Sequence, residues 1–480
     1  MDGIRLRYNK YMRVRVLLSG FVILALAVAA GIYAWLDYPE IATTTPNADA
    51  VKVPIGTPLK MTFSRSMNTA SVENRLVMQP ERSGKFSWQG NTLTFMPDSP
   101  WPSGATVTVT LPAGTRAAGW LGMPLLRPYT WSFSTGQTLL AYLWPPDEPA
   151  DIYTLDPLTG DIHQVTASGG VVDFSISRDG TQFYYSVRKL DNSAIFRLDL
   201  LKAADQAAQE PEPEHLLSCP QASCRLPRLS PDGRLLAYER TPSTPGVPAD
   251  TQVWLLALPD DGSASEPFLV GEAGHRTLQP DWSSTGKLAY YDLDQQAFVV
   301  YSPSSGQRTL LPNQTGEPGS WAPDGESYVA PEITEENLNL LESRAYSHLI
   351  RYILATTPDS TALIRTENLS NDVSLEDTAP VFSPDGTQIA LARKYLDTMR
   401  WTPGRQLWLM QADGTQLISL TDEPFYNHYD FAWSPDGKRI AYVRFNQTVL
   451  TEPLELWVVN ADGNDPIQLV KGGYAPQWLP

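Results

Sequence analysis

The sequence predicts an all-β protein with one helix at its start, and three observations carry that prediction. Proline and glycine supply 73 of 480 residues, a density that favours short strands and tight turns over long helices. Apolar and polar residues alternate with period two in many five- or six-residue runs, the pattern of half-buried strands. A turn of the form Ser-Pro-Asp-Gly, or a close variant, recurs six times between residues 177 and 437. With 42% hydrophobic and 19% charged residues the chain can bury a core, so global disorder is excluded.

The exception to the β pattern comes first. Residues 1–15 form a basic tail holding Arg5, Arg7, Lys10, Arg13 and Arg15 against one acid, Asp2. Residues 16–36 are almost wholly apolar and would reach about 31 Å as a helix, enough to cross a bilayer. Tyr33 and Trp35 stand at the far end, where amphipathic rings favour the interface. The sequence thus expects a single-pass signal anchor, with the N-terminus cytoplasmic and the body outside the cell membrane. A cleaved signal peptide is the alternative, with Ala27-Val28-Ala29 as a cleavage site; the apolar run is long for a signal core. Beyond the tail lie 31 basic and 52 acidic residues, a net charge of −21. That charge suits solubility outside the cell, argues against nucleic acid as a partner, and argues against direct adhesion to anionic lipid.

Residues 37–50, rich in Thr and Pro, read as a stalk. Residues 51–136 read as a β-sandwich with strands such as Leu59-Lys60-Met61-Thr62-Phe63 and Tyr129-Thr130-Trp131-Ser132-Phe133. Here the runs PIGTPLKMTFSRSMN, GNTLTFMPDSPWPSGATVTVTLPAGTRAAGWLG and YTWSFST resemble the bacterial SbsA-type Ig-like domain. The resemblance implies a non-catalytic spacer or wall-associated module.

The turn motif organises residues 138–480. Its Asp-Gly pairs are Asp179-Gly180, Asp232-Gly233, Asp324-Gly325, Asp385-Gly386 and Asp436-Gly437, with Thr285-Gly286 as a degenerate copy. The glycines are spaced by 53, 53, 39, 61 and 51 residues. An apolar or aromatic residue precedes each turn: Phe174, Leu229, Trp282, Trp321, Phe382 and Trp433. Further strands follow each turn, so the unit is four strands in roughly 40–50 residues, the mark of a β-propeller blade. The repeat resembles the TolB-type β-propeller family, which also occurs beside the hydrolase domain of prolyl-oligopeptidase-type enzymes. Residues 474–479 match the first strand of a blade and residues 139–166 match the other three. The two ends should therefore share one blade, with Trp478 as its closing wedge. Seven blades result, with six as the alternative. Segment 331–346 departs from the repeat and reads as a short helical or lid-like insertion, against a plain long loop.

Chemistry is sparse. The chain has no Gly-x-Ser-x-Gly elbow, P-loop or His-Glu-x-x-His, and its five histidines are not paired in sequence. The oxygen-rich run 460–465 lacks the acidic twelfth residue of a calcium loop and reads as a blade turn. Cys219 and Cys224 are expected to form a small disulfide, with two free thiols as the alternative. No catalytic residue, cofactor or metal is assigned. The expected function is a membrane-anchored scaffold that binds a protein, peptide or glycan at a propeller mouth. The rival is a propeller hydrolase or lyase acting on envelope polymer or peptide.

Overall fold

The computed structural model describes residues 38–480 except 121, 148, 190–191, 201–211, 244–249, 260–264, 340–341, 371–373 and 480, together with positions 21, 24–26, 28 and 31. The tail 1–15 lies outside the described residues, and so does most of the expected span 16–36. Among the described residues no helix is long and apolar enough to cross a membrane. The chain divides into two compact units, one ending at Gly136 and the other holding Gln137–Pro480, with the short piece Pro54–Gly56 assigned to the second.

The first unit is a sandwich of two antiparallel sheets. One has the order β1 (Ile41–Thr45), β2 (Leu59–Phe63), β5 (Thr92–Pro97), β4 (Gly84–Gln89); the other has β3 (Val77–Gln79), β6 (Thr106–Leu111), β7 (Tyr129–Ser134). Alternation puts Leu59, Met61, Phe63, Leu93, Phe95, Val107, Val109, Leu111, Trp131 and Phe133 inward, where all are buried. Trp101 packs edge-on against Phe133 at 6.2 Å and donates its indole N–H to the Thr57 carbonyl at 3.0 Å. The stretch 37–50 is not a plain stalk. Ile41–Thr45 pairs with β2 as an edge strand, because β-branched Ile and Thr suit extended backbone and find an open sheet edge beside them.

The second unit carries, among the described residues, five four-stranded antiparallel sheets and one eight-stranded sheet that divides into two blades, seven blades in all. Blade 1 joins Tyr474–Trp478 to Leu140–Trp144, Asp151–Leu155 and Ile162–Gln164. Blades 2 to 7 begin with Val171–Ile176, Ala222–Leu229, Thr277–Trp282, Ser320–Trp321, Leu375–Phe382 and Tyr426–Trp433. Blades 5 and 6 share a continuous sheet only through one parallel pair, Ser347 with Glu376. The second strands repeat Ala-Tyr, as Ala141-Tyr142, Ala237-Tyr238, Ala289-Tyr290 and Ala441-Tyr442, all buried. A small residue beside a large flat one lets neighbouring sheets stack closely.

Four of the turns between first and second strands are held the same way. Ser434 donates its hydroxyl to Asp436 Oδ1 at 2.6 Å and accepts the Arg439 N–H at 2.9 Å, while Asp436 Oδ1 accepts the Lys438 N–H at 3.1 Å. The sets at Ser177 with Asp179, Ser230 with Asp232 and Ser383 with Asp385 repeat this. Gly437 sits at φ 69°, a left-handed conformation that glycine adopts freely. These turns, and those between third and fourth strands, lie on one face of the ring, here the turn face. Connections between second and third strands, and between blades, lie on the opposite loop face.

The segment 331–346 differs from its expectation. It is neither helix nor loose loop but the outer part of a long hairpin, Ser327–Asn339 against Glu342–Thr356, paired continuously from Ser327 with Ile353 to Asn337 with Ser343. The second and third strands of blade 5 simply continue, and β-branched Ile333 and Thr334 favour that over a helix.

Candidate functional site: an apolar rim on the loop face

Two features of the ring could carry function, its inner wall and its loop face. The inner wall is built by the first strands. At five of them a residue three positions before the wedge takes positive φ: Leu226, Gln279, Ala379, Asp430 and Ala475, at 49°, 58°, 50°, 53° and 51°. Each coincides with a register shift, so each is a β-bulge. Proline follows in four, at Pro227, Pro280, Pro380 and Pro476. The signature residue–Pro–residue–wedge, with an aromatic wedge in three of the four, is carried by the sequence itself.

The wedges act beyond packing. Trp282, Trp321, Trp433 and Trp478 donate their indole N–H groups to the carbonyls of Arg228, Asp281, Val381 and Ala432, at 3.0, 3.3, 3.0 and 2.9 Å. Every acceptor is the residue just before the wedge position of the preceding blade. In blade 2 that position is Ile176, directly before Ser177, and not Phe174. Trp478 also pairs with Leu140 in the strand register of blade 1.

Charges on the wall pair with one another. Arg225 meets Asp173 at 2.9 Å. Glu239 accepts the bulged N–H of Gln279 at 2.7 Å, and Gln477 donates to the Phe174 carbonyl at 2.8 Å. Burial raises the carboxyls of Glu239, Asp281 and Asp430 above their ordinary range, and Asp281 reaches about 6.

The loop face is different in kind. Met399 is 92% exposed, Leu450 75%, and Trp401 and Phe425 55% each. They sit on adjacent connections. Gly404 N–H donates to the Pro424 carbonyl at 2.9 Å, and Gln447 N–H donates to the Phe425 carbonyl at 2.8 Å. The connections are therefore joined across blades 6 and 7, and the apolar run they carry lies on one face of the ring. Cations frame it: Lys394 Nζ lies 5.2 Å from the Trp401 ring centre, and the Arg400 guanidinium lies 3.9 Å from that of Tyr395. Arg400 is held by Asp397 at 2.7 Å. Beside the run a cleft of about 430 Å³ opens between the outer part of the long hairpin (Ala345, Tyr346) and Leu396, Asp397 and Thr398.

The rim rests on stiff supports. Arg393 forms a two-pronged pair with Asp377, both contacts 2.7 Å and both side chains buried. Arg444 bridges Glu423 and Glu455 and lies 4.2 and 4.0 Å from the Tyr426 and Trp457 ring centres. Contact with His428 and with Arg444 lowers the Glu423 carboxyl to about 2.

The sequence-derived positions fall elsewhere. The Asp-Gly pairs all lie on the turn face, where serine hydroxyls and carboxylates are engaged in turn hydrogen bonds. Cys219 and Cys224 are joined as a disulfide at the passage from blade 2 to blade 3. The histidines stand apart: His163 in blade 1, His215 in blade 2, His275 beside Asp292 at 2.9 Å, His348 in blade 5 and His428 in blade 7. Among the described residues no group of His, Cys, Asp and Glu is arranged to hold a metal. The loops 396–405 and 447–454 were missed. Their signal was apolar residues without alternation, at Met399, Trp401, Val449 and Leu450.

Residues 37–135 match the bacterial Ig-like domain family. This segment is a bacterial Ig-like domain. No curated protein matches the chain. Among solved structures the chain is similar to putative TolB from Agrobacterium tumefaciens, with 16% identity over 71% of this chain and 92% of that one, TM-score 0.36. It is similar to TolB from Acinetobacter baumannii, with 12% identity over 92% and 99%, TM-score 0.42. It is also similar to the β-propeller domain of the Trilobed protease from Pyrococcus furiosus, with 12% identity over 77% and 93%, TM-score 0.46. The propeller following the Ig-like domain is defined by its sheet order.

Proposed function

We propose that this chain is a membrane-anchored, extracytoplasmic binding protein whose propeller captures a protein partner on the loop face of blades 5 to 7. The apolar run Met399–Trp401–Phe425–Leu450 carries the reading. A cluster of large exposed apolar side chains rimmed by paired charges has the make-up of a protein contact. Trp, Met and Arg are the residue types enriched at such contacts. The stiff supports beneath the rim suit a preformed surface, which avoids an ordering cost on binding. The apolar segment 16–36 supports the membrane assignment, and the acidic body favours a partner with a basic surface. On this reading the chain works by binding and has no hydrolase activity of its own.

Photocrosslinking in native membranes tests this. A benzophenone amino acid at Met399 should give a defined adduct. The same probe at Leu158, 70% exposed on the turn face, should not. Equal labelling from both faces would refute the assignment, as would turnover of peptide, ester or glycan substrates by the purified chain.

A further inference from the structure

The Ig-like domain carries a second exposed feature. Between β6 and β7 the chain folds back on itself: Gly114 N–H donates to the Leu125 carbonyl at 2.8 Å, and Ala117 N–H donates to the Met123 carbonyl at 2.9 Å. Gly119 and Gly122 take positive φ, 101° and 48°, and make the tight tip between these two arms. At that tip stands Trp120, 93% exposed, and Leu126 on the same loop is 58% exposed. A free-standing tryptophan on a glycine-flanked tip does nothing for the core of its own domain.

The position of the tip is informative. The chain reaches the domain at Glu40, which exchanges hydrogen bonds with Ser64. Two residues on, Ser66 accepts the Ala118 N–H at 2.9 Å, and Asn68 N–H donates to the Arg116 carbonyl at 3.0 Å. The tip therefore rises beside the point where the chain arrives. The domain's far end holds Val53, Gly104 and Gly136, linked by Gly136 N–H to Val53 O and Gly104 N–H to Gly136 O. The apolar segment ends at Leu36, so no more than about 14 Å of extended chain separates it from Glu40.

Charge points the same way. Arg75, Arg116 and Arg127 are exposed around this end. An added Cβ at Gly114 would meet Arg75 at 3.2 Å, and one at Gly122 would meet Arg116 at 3.8 Å, which places both arginines against the loop. A body with a net charge of −21 thus carries Arg75 and Arg116 against the loop that bears its exposed tryptophan, with Arg127 on the same loop and Glu40 as the exposed acid at this end. Average charge argues against lipid adhesion, but adhesion is decided within a Debye length of the surface.

We propose that the Trp120 tip of the Ig-like domain seats in the interfacial layer of the anchoring membrane, with Arg75, Arg116 and Arg127 on anionic headgroups. This rests on the reading of residues 16–36 as a membrane anchor. Tryptophan favours the headgroup region because its ring is apolar and its N–H can still find an acceptor. A second contact would set the orientation of the domain on the bilayer, which a single helix cannot do.

The chain's two cysteines are bonded to each other, so one introduced cysteine is a unique label site. The full chain with Ala118→Cys, carrying an environment-sensitive nitrobenzoxadiazole dye, is reconstituted into vesicles of phosphatidylethanolamine and phosphatidylglycerol. The expected result is a blue-shifted emission, quenched several-fold by spin-labelled lipid. Dye at Asp98→Cys, at the far end, should show neither. Adding Trp120→Ser should remove most of the quenching, and Arg116→Gln with Arg127→Gln should weaken it on these vesicles but not on neutral phosphatidylcholine. Absent quenching in a chain that co-floats with vesicles overturns the proposal and leaves the anchor standing. Failure to co-float overturns both. A blue shift without lipid quenching means a protein neighbour, and undiminished quenching in Trp120→Ser means the tryptophan is not the contact; either overturns the proposal.

Discussion

The two faces of the propeller are built from the same strands and obey different rules. On the turn face, four blades repeat one hydrogen-bond set to within a tenth of an ångström or so, from Ser177 to Ser434. On the loop face the connections of blades 5, 6 and 7 differ from one another among the described residues. One blade extends a hairpin, the next carries Met399 and Trp401, and the next carries Leu450. Turns that close a hairpin between packed strands have few geometric solutions, so their sequence is constrained by the fold. Connections that face solvent are free of that demand, and there the sequence can serve a partner. The comparison teaches where to look: repetition marks what holds the ring, and departure from it marks what the ring is for.

The sharpest break in that contrast would come from the supports under the rim. Arg393→Met leaves Asp377 as a buried, unpaired charge and should cost about 3–5 kcal/mol, measured by urea unfolding. Restoring neutrality with Asp377→Leu in the same chain should recover most of the loss. A similar loss, about 3–5 kcal/mol, is expected for Trp478→Ala, since the ring fills the closing blade and its N–H ties blade 1 to blade 7. Trp401→Ala is the matching loop-face change. It should shift stability by less than about 0.5 kcal/mol while sharply reducing partner capture. Equal destabilisation by the two tryptophan changes would erase the distinction drawn between the faces.

Smaller effects refine it. Burial raises the Asp281 carboxyl to about 6, so the folded state holds its proton more tightly than the unfolded one. The penalty for ionising it is complete above pH 6 and fades as pH falls toward about 4, the ordinary carboxylate value. Asp281→Asn should therefore stabilise the propeller at pH 7 by about 1–3 kcal/mol and by nearly nothing near pH 4. A constant gain across that range would mean the group is not buried as described. Smallest is the turn itself. Asp436→Ala removes one acceptor shared by two donors and should cost about 1 kcal/mol. Because blades share the load, it should leave loop-face binding unchanged.

Much of the fold was legible in the sequence because its information is local and periodic. Alternation in Leu59 to Phe63 and in Tyr129 to Ser134 revealed the sandwich, and the Asp-Gly turns gave both the repeat and the phase of the strands around it. The closing blade was legible because Trp478 stands in the same context as Trp433. Other parts were not. Residues 331–346 show partial helical spacing, yet the strands on either side dictated a hairpin. The bulges at Leu226, Gln279, Ala379, Asp430 and Ala475 need five aligned first strands before the proline after the bend stands out. The rim was least legible: Met399, Trp401, Phe425 and Leu450 span fifty-odd residues of chain, and only the ring brings them together.

Ring closure also bears on the order in which this molecule can be made. Blades 2 to 7 are each contiguous in sequence, so each can assemble as its own residues leave the ribosome. Blade 1 cannot. Leu140–Trp144 is synthesised early and then waits, one edge unpaired, for Tyr474–Trp478 more than 300 residues later. During that interval the waiting strand is a template for any other extended segment, from the same chain or a neighbour. A protein closed like a clasp thus has its most vulnerable moment during synthesis, and a chaperone that covers residues 140–144 would protect the whole ring.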